Sequence, residues 1–395
     1  MINHSNMKSF NLKLASLSLA ILATSAVFAQ TKDEAVRKTL NERYESASAD
    51  FKKLMSMDPA NAEIYFYCGD NYYYWGKQEN DMNTIDSAMA VYKRGIEVNP
   101  GNPLNYVGYG RTAWQKGDEA VANNQFAKAI EVINTKSNKV DKTVQQVAYL
   151  KMAETFIQSE KKRLQDAYNY INLAMKLNDK NPEVYLQMGD YHSENDGVDL
   201  SNAVRYYNQA FSLDAQNTRV LLRKGQLYVK VKSWDDGLKY FNEAIGIDPN
   251  FAPAYRERAE LLYRAGRYPA AVESYGKYLE LNNSCRVQQR YASFIFLTKD
   301  YAKAISEIQN AIPCNPDNTI MYRLLAYSYF ESGDYEKGKG AIDDFFNRAE
   351  QKKNVTVLAS DYGYRGKLLS KLGQDSLGVL DLEKAIGMEG GYPEG

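Results

Sequence analysis

Histidine and cysteine are scarce in this chain, and no long apolar run follows residue 28. Only His4 and His192 occur among 395 residues. A single histidine beyond the first thirty residues cannot build a metal cluster. His192 falls in phase with Tyr185 and Met188, on what reads as the buried side of a helix. No phosphate-binding loop, dinucleotide fingerprint, nucleophile elbow or zinc-protease motif is present. Acidic side chains are plentiful but scattered, without the paired, buried setting of a general acid and base. The expectation is a non-enzyme with no catalytic residues, no metal and no cofactor.

Three cysteines, Cys68, Cys285 and Cys314, are too few for a disulfide framework. Cys68 falls on a buried register, where a free thiol acts as a small apolar residue. Cys285 begins one helix of a hairpin and Cys314 ends the other, so antiparallel packing brings both to the same end. A bridge between them is open to formation in an oxidising compartment.

Net charge is also missing, since Lys+Arg and Asp+Glu each number 49. Residues 1–29 hold Lys8, Lys13 and no acid, leaving 47 basic (49 − 2) against 49 acidic residues. No net basic face speaks for nucleic acid, and no basic amphipathic helix for a membrane surface.

The one apolar run, Leu14 to Phe28, follows Lys8 and Lys13 and ends in Val27-Phe28-Ala29 before Gln30. That pattern predicts a cleavable secretory signal over residues 1–29, with Met7 as a second candidate initiator and a retained signal anchor as the alternative. The expected product is exported, bacterial, periplasmic or secreted, with no stable membrane insertion once the signal is cut.

What the chain does have is repetition. Gly69, Gly110, Ala153, Gly189, Gly225, Ala259, Ala292, Ala326 and Gly366 recur at steps that settle near 33–36 residues. A second ladder keeps step, in which a small residue is followed four later by a bulky one, as in Ala88 and Tyr92, Ala203 and Tyr207, or Ala271 and Tyr275. Small side chains let helix backbones approach, and the bulky neighbours fill the flanking space. Between the ladders stand turns such as Lys116-Gly117-Asp118 and Ser332-Gly333-Asp334, and several second helices run out at Asn99-Pro100, Asp248-Pro249 or Asn315-Pro316. Two helices per unit follow.

In period and anchor residues the pattern closely resembles the tetratricopeptide repeat, over roughly residues 58–388. The resemblance implies an all-α, right-handed superhelical solenoid of about nine hairpins, with the array over 58–395. Ahead of it, Val36, Leu40, Tyr44, Ala47, Phe51 and Leu54 predict one long helix within residues 30–57, packed on the first repeat. Extra residues around Gln78 to Ser87, the polar stretch Asn134 to Thr143 and the segment Asn347 to Asn354 are expected to form irregular turns. The Gly-rich end after Glu389 carries no polar capping helix, so the last repeat is expected either to pair two copies or to continue into further chain.

In such a stack the first helix of each unit lines the concave wall, a groove suited to a protein or extended peptide. The wall residues expected to meet a partner are Phe66, Tyr73, Tyr74, Trp114, Arg256, Tyr263, Arg264, Arg286, Phe296, Arg323, Tyr327 and Phe330, since aromatic and Arg side chains dominate binding energies. The two-carboxylate clamp of some relatives is not reproduced, because Phe66 with Asp70 and Val107 with Arg111 stand in the corresponding places. Acidic residues concentrate on the first half of the wall (Glu63, Asp70, Glu154, Glu183, Asp190, Glu194). Basic ones concentrate on the second (Arg219, Lys230, Arg256, Arg264, Arg286, Arg323, Lys367, Lys371), which reads as a bipolar groove. The function expected is a non-catalytic exported scaffold in envelope assembly or secretion. A glycan-binding or cell-wall module using the same aromatics is the alternative.

Overall fold

The computed structural model describes residues 31–197, 199–352 and 355–389. The expected secretory signal lies outside them, as do the last six residues. All regular structure among the described residues is helical, in two compact units that divide at Pro253 and Ala254.

Unit 1 opens with α1 (31–40) and α2 (Tyr44–Met57). Five hairpins follow: α3 (Ala62–Glu79) with α4 (Met82–Val98), α5 (Pro103–Gln115) with α6 (Glu119–Asn134), α7 (Lys142–Gln158) with α8 (Leu164–Leu177), α9 (Pro182–Asn195) with α10 (Ser201–Leu213), and α11 (Thr218–Lys230) with α12 (Trp234–Ile247). Unit 2 holds four: α13 (Ala252–Arg264) with α14 (Tyr268–Leu281), α15 (Cys285–Leu297) with α16 (Tyr301–Ala311), α17 (Thr319–Ser332) with α18 (Tyr335–Gln351), and α19 (Ala359–Lys371) with α20 (Asp375–Glu389).

The helix starts are written in the sequence. Asn102 and Asn181 each accept a hydrogen bond from a first-turn backbone N–H, and the following Pro103 and Pro182 need no partner for the N–H they lack. Gly117 and Gly333 adopt φ of 83° and 85° between paired helices, a left-handed turn that other residues resist. Inside each hairpin the small ladder meets the bulky one. A Cβ on Gly69 or Gly108 would stand 2.4 or 2.1 Å from the Tyr92 ring, so Tyr92 lies in a slot made by two glycines on neighbouring first helices.

Two expectations are corrected. The region 30–57 is not one helix, because α1 ends in a turn at residues 41–43 in which Glu42 has φ 57° and Arg43 N–H donates to Lys38 O. The extra residues near Gln78 to Ser87 form no irregular turn either. They lengthen α3 and α4 to 18 and 17 residues, joined tightly at Asn80 and Asp81, and Asp81 caps α4 through the N–H groups of Asn83 and Thr84. Asn134 to Thr143 does hold an open joint between α6 and α7.

Candidate functional site

On the first helices of unit 1, four charged side chains form a buried, neutral cluster. Asp70 (α3), Arg111 (α5) and Lys151 with Glu154 (α7) occupy three successive repeats. The Arg111 guanidinium donates to Asp70 Oδ1 at 2.7 Å and to Tyr74 Oη at 3.2 Å, and lies 3.4 Å from Glu154 Oε2. Lys151 Nζ stands 2.9 Å from Asp70 Oδ2 and 3.2 Å from Glu154 Oε2. Tyr74 and Tyr92 donate their hydroxyls to Glu154 and Asp70 at 2.6 and 2.7 Å. Arg111 is fully buried. Burial opposes the charges of Glu154, Lys151 and Arg111, yet Lys151 and Arg111 hold Glu154 well below the usual carboxylate range. The two acids in turn raise Lys151 and Arg111 above theirs. Burial pushes the Tyr74 phenol up to about 12, with Glu154 adding to the shift.

The same pairing continues along the wall. Arg219 on α11 grips Glu183 on α9 at 2.6 and 3.1 Å, Arg223 reaches Asp190, and Lys162 and Lys230 both meet Glu194. Asp190 is shifted upward by burial, which Arg223 only partly offsets.

Over this wall lies α1. Thr39 Oγ1 donates to Asn71 Oδ1 at 2.9 Å, Lys32 Nζ to Glu63 at 3.1 Å, and Asn41 to Asp248 at 3.1 Å. Between α1 and the wall remains a cavity of about 200 Å³, lined by Val36 and Leu40 on one side and Tyr67, Leu150, Gln187 and Arg219 on the other. A second, polar cleft of about 460 Å³ is bordered by Lys77, Asp190, Glu194, Arg223 and Lys230.

The wall of unit 2 differs in kind. Phe296 (α15), Tyr327 and Phe330 (α17) and Tyr364 (α19) form a continuous aromatic row. Phe296 and Tyr327 are 6.3 Å apart, Tyr327 stacks on Tyr364 at 3.8 Å, and Phe330 meets Tyr364 edge-on at 5.4 Å. Phe296, Phe330 and Tyr364 are half-buried, and Lys367 and Lys371 stand exposed beside them, over the rings of Tyr364 and Tyr335. Asp361 fixes the row from below. Fully buried, it accepts from Arg323 at 2.7 and 2.8 Å, from Tyr327 Oη at 2.7 Å and from the Leu358 backbone N–H. The hairpin of α15 and α16 is closed by a disulfide between Cys285 and Cys314, whose Cα atoms lie 5.7 Å apart.

A model of the family described as Tetratricopeptide repeat matches residues 222–284. That match and the nine hairpins of the described residues, in register on the small and bulky ladders, support a tetratricopeptide-repeat protein. The chain is similar to human tetratricopeptide repeat protein 13, 26% identical over 31% of this chain and 14% of that protein. It is also similar to the DnaJ protein P58IPK homolog of Arabidopsis thaliana, 31% identical over 27% of this chain and 26% of the relative. The chain therefore spans between a seventh and about a quarter of the length of these curated relatives. Among solved structures, a tetratricopeptide repeat protein from Parabacteroides merdae is 21% identical over 63% of this chain and 94% of that one, with a TM-score of 0.39. Yeast Tom70 is 12% identical over 92% of both, with a TM-score of 0.41.

Several residues expected on the tetratricopeptide wall are elsewhere. Phe66, Tyr73 and Trp114 are buried: Phe66 packs against Tyr67 and Tyr92, Tyr73 lies under the Arg111 guanidinium, and Trp114 meets Phe156 edge-on. Their side chains pack against neighbouring helices rather than lining the groove. Tyr74 does face the groove, beneath α1. Arg256 is half-buried against Glu257, Tyr263 stacks on Phe294 and meets Tyr268 at a tilt, and Arg264 and Arg286 are exposed. Arg323 is held by Asp361 and Thr356 O, which makes it a positioning group. His192 is not in the core: half-buried, it pairs with Asp196 at 2.8 Å and stacks on Tyr206. The bipolar groove is also corrected, since all six acidic wall residues of the first half sit in ion pairs, Glu63 with Lys32 included. Tyr364, Lys151 and Arg223 were not singled out. The place after the first three small frame residues carries Asp70, Arg111 and Glu154 in turn, a reversal of sign that points to pairing between repeats.

Proposed function

We propose that this protein is an exported, non-catalytic scaffold, and that unit 2 docks an extended protein segment on the wall of its first helices. The aromatic row Phe296, Tyr327, Phe330 and Tyr364 carries the reading. Rings drawn from the first helices of three successive hairpins, with Tyr327 buried and held by Asp361, form an apolar strip, the kind of surface that supplies affinity at little entropic cost. The exposed Lys367 and Lys371 beside it favour a partner segment with apolar and acidic residues. The glycan alternative is less well supported, because sugars stack on open ring faces while Tyr327 and Tyr364 cover each other.

Replacing Phe296, Phe330 and Tyr364 together by Ala is expected to weaken capture of the native partner at least tenfold, mainly through faster release. K367E/K371E is expected to slow association and flatten its salt dependence. Surface plasmon resonance on folded variants checks both. Unchanged affinity in the triple variant would discard the wall as the docking surface.

Export is part of the proposal and draws support from the Cys285–Cys314 bridge, which an oxidising compartment maintains. Mass analysis of protein from its native compartment is expected to find residues 1–29 removed and this bridge intact, with Cys68 reduced. Retained residues 1–29 and free thiols at both positions would contradict it. Pairing of two copies through the last hairpin is likewise proposed, on the exposed Leu377, Leu380 and Ile386 of α20. Sedimentation that shows only monomer at high micromolar concentration would remove that element.

A further inference from the structure

We propose that the wall of unit 1 is a receptor for a short amphipathic helix, which α1 occupies in cis with an incomplete fit. A partner chain would take its place by presenting a lysine in its first helical turn and, four residues later, an apolar side chain bulkier than valine. This goes beyond docking on unit 2 and rests on different residues.

The bound geometry is that of α1 itself. Lys32, Ala35, Val36, Thr39 and Leu40 recur at three- and four-residue steps and form the face turned to the wall. Ala35 and Thr39 are buried, and Thr39 is tied to Asn71, whose amide donates to Tyr44 O. Val36 and Leu40 are only half-buried, and opposite them lies the cavity of about 200 Å³ with Leu150, Tyr67 and Gln187 on its far side. Gln187 is nearly fully buried and its Oε1 accepts no hydrogen bond. The pocket is partly open to solvent, and Asp70, Lys151, Glu183 and Arg219 line it together with the apolar groups, so the segment seated there leaves part of the site unfilled.

The charges state what the site selects. Asp70, Glu154 and Glu183 are matched by Arg111, Lys151 and Arg219, so the middle of the wall is neutral and discriminates by shape. Glu63, at the start of α1, takes Lys32 and sets the preference for a basic first turn.

The hinge makes exchange feasible. Glu42 holds φ 57°, a left-handed conformation that an L residue with a side chain resists. The apolar steps Val36, Leu40, Tyr44, Ala47 and Phe51 run straight through the turn in the pattern of one continuous helix. Straightening residues 41–43 relieves Glu42 and swings α1 off the wall. The local sequence thus favours the open form, while contacts with the wall favour the closed one.

The test uses two labelled synthetic peptides, the native sequence of residues 31–43 and the same with Val36→Phe. Both are titrated by fluorescence anisotropy onto the full chain and onto V36D/L40D, which expels α1 from the wall. The V36F peptide is expected to bind V36D/L40D at least tenfold more tightly than the unaltered chain, where α1 competes in cis. It is also expected to bind at least threefold more tightly than the native peptide. Equal binding to both chains, or none to either at millimolar peptide, overturns the proposal.

Should V36D/L40D fail to fold, hydrogen exchange on the unaltered chain decides. At saturating V36F peptide the amides of residues 33–40 are expected to lose protection while those around Leu150 and Gln187 keep it; unchanged α1 protection overturns the proposal. The F296A/F330A/Y364A chain is expected to bind the peptide normally, so failure of this site and failure of the unit 2 wall are distinguishable.

Discussion

Replacing Arg111 by Met is expected to destabilise unit 1 by about 3–5 kcal/mol. The cluster of Asp70, Glu154, Arg111 and Lys151 is neutral as it stands, and removing one cation leaves a net negative charge buried among three repeats, with only Lys151 to answer two carboxylates. Surface ion pairs are worth far less because water answers for the missing partner; here Arg111 is fully buried. D70N/R111M restores neutrality and is expected to cost less than the sum of its single changes, since residues of one network do not act independently.

The pH dependence has a definite sign. The folded-state pKa of Glu154 is depressed below its ordinary value of 4.5, so its contribution is complete above that value and is lost as pH falls below it. The unaltered protein is therefore expected to lose stability on acidification below about pH 4.5. R111M is expected to lose less over the same window, because Glu154 then sits closer to its unfolded value. Urea denaturation of both proteins between pH 3 and 7 checks the pair of statements.

The second large effect concerns close approach. A Cβ on Gly189 would stand 2.3 Å from the Tyr207 ring, which is itself buried and anchored through its hydroxyl to Asp190 at 2.7 Å. The ring cannot swing aside without breaking that bond, so Gly189→Leu is expected to cost about 1–3 kcal/mol or more by overpacking, and Gly189→Ala to destabilise as well. Gly340 in α18 is the contrast, because a Cβ there meets nothing within 4 Å. Gly340→Ala is expected to stabilise by about 0.5–1 kcal/mol, the ordinary cost of glycine inside a helix. Thermal melts in which both alanine variants shift the same way would show that Gly189 is not a crossing.

The glycine ladder was legible in the sequence because its cause is local: a slot for Tyr92, Phe126, Tyr207 or Phe241 requires a missing Cβ at the frame place of those repeats, while others carry alanine there. Helix starts were legible for the same reason, through Asn102-Pro103 and Asn181-Pro182. The break between α1 and α2 was not, since the apolar steps from Val36 to Leu54 describe a straight helix and only the contacts of Thr39, Asn71 and Asn41 with distant helices bend it. The groove residues divide likewise. Phe66 and Trp114 were misplaced because in unit 1 these bulky residues, three before and four after the frame glycine, pack into Tyr92 and Phe156. Phe296 and Phe330, four after Ala292 and Ala326, stay half-buried, so register alone does not separate the two cases. Charge segregation along the chain hid its own answer, for the partner of each acid lies about one repeat away, as Arg219 does for Glu183.

The central claim is that the aromatic wall of unit 2 holds a protein partner. It is tested most directly by placing a photocrosslinking amino acid at Phe330, and in a second protein at the exposed Leu173 on α8, and irradiating each in its native cells. The account predicts one defined protein adduct from position 330, none from position 173, and loss of that adduct in the F296A/Y364A background. A polymeric glycan adduct, or the same adducts from both positions, would contradict it.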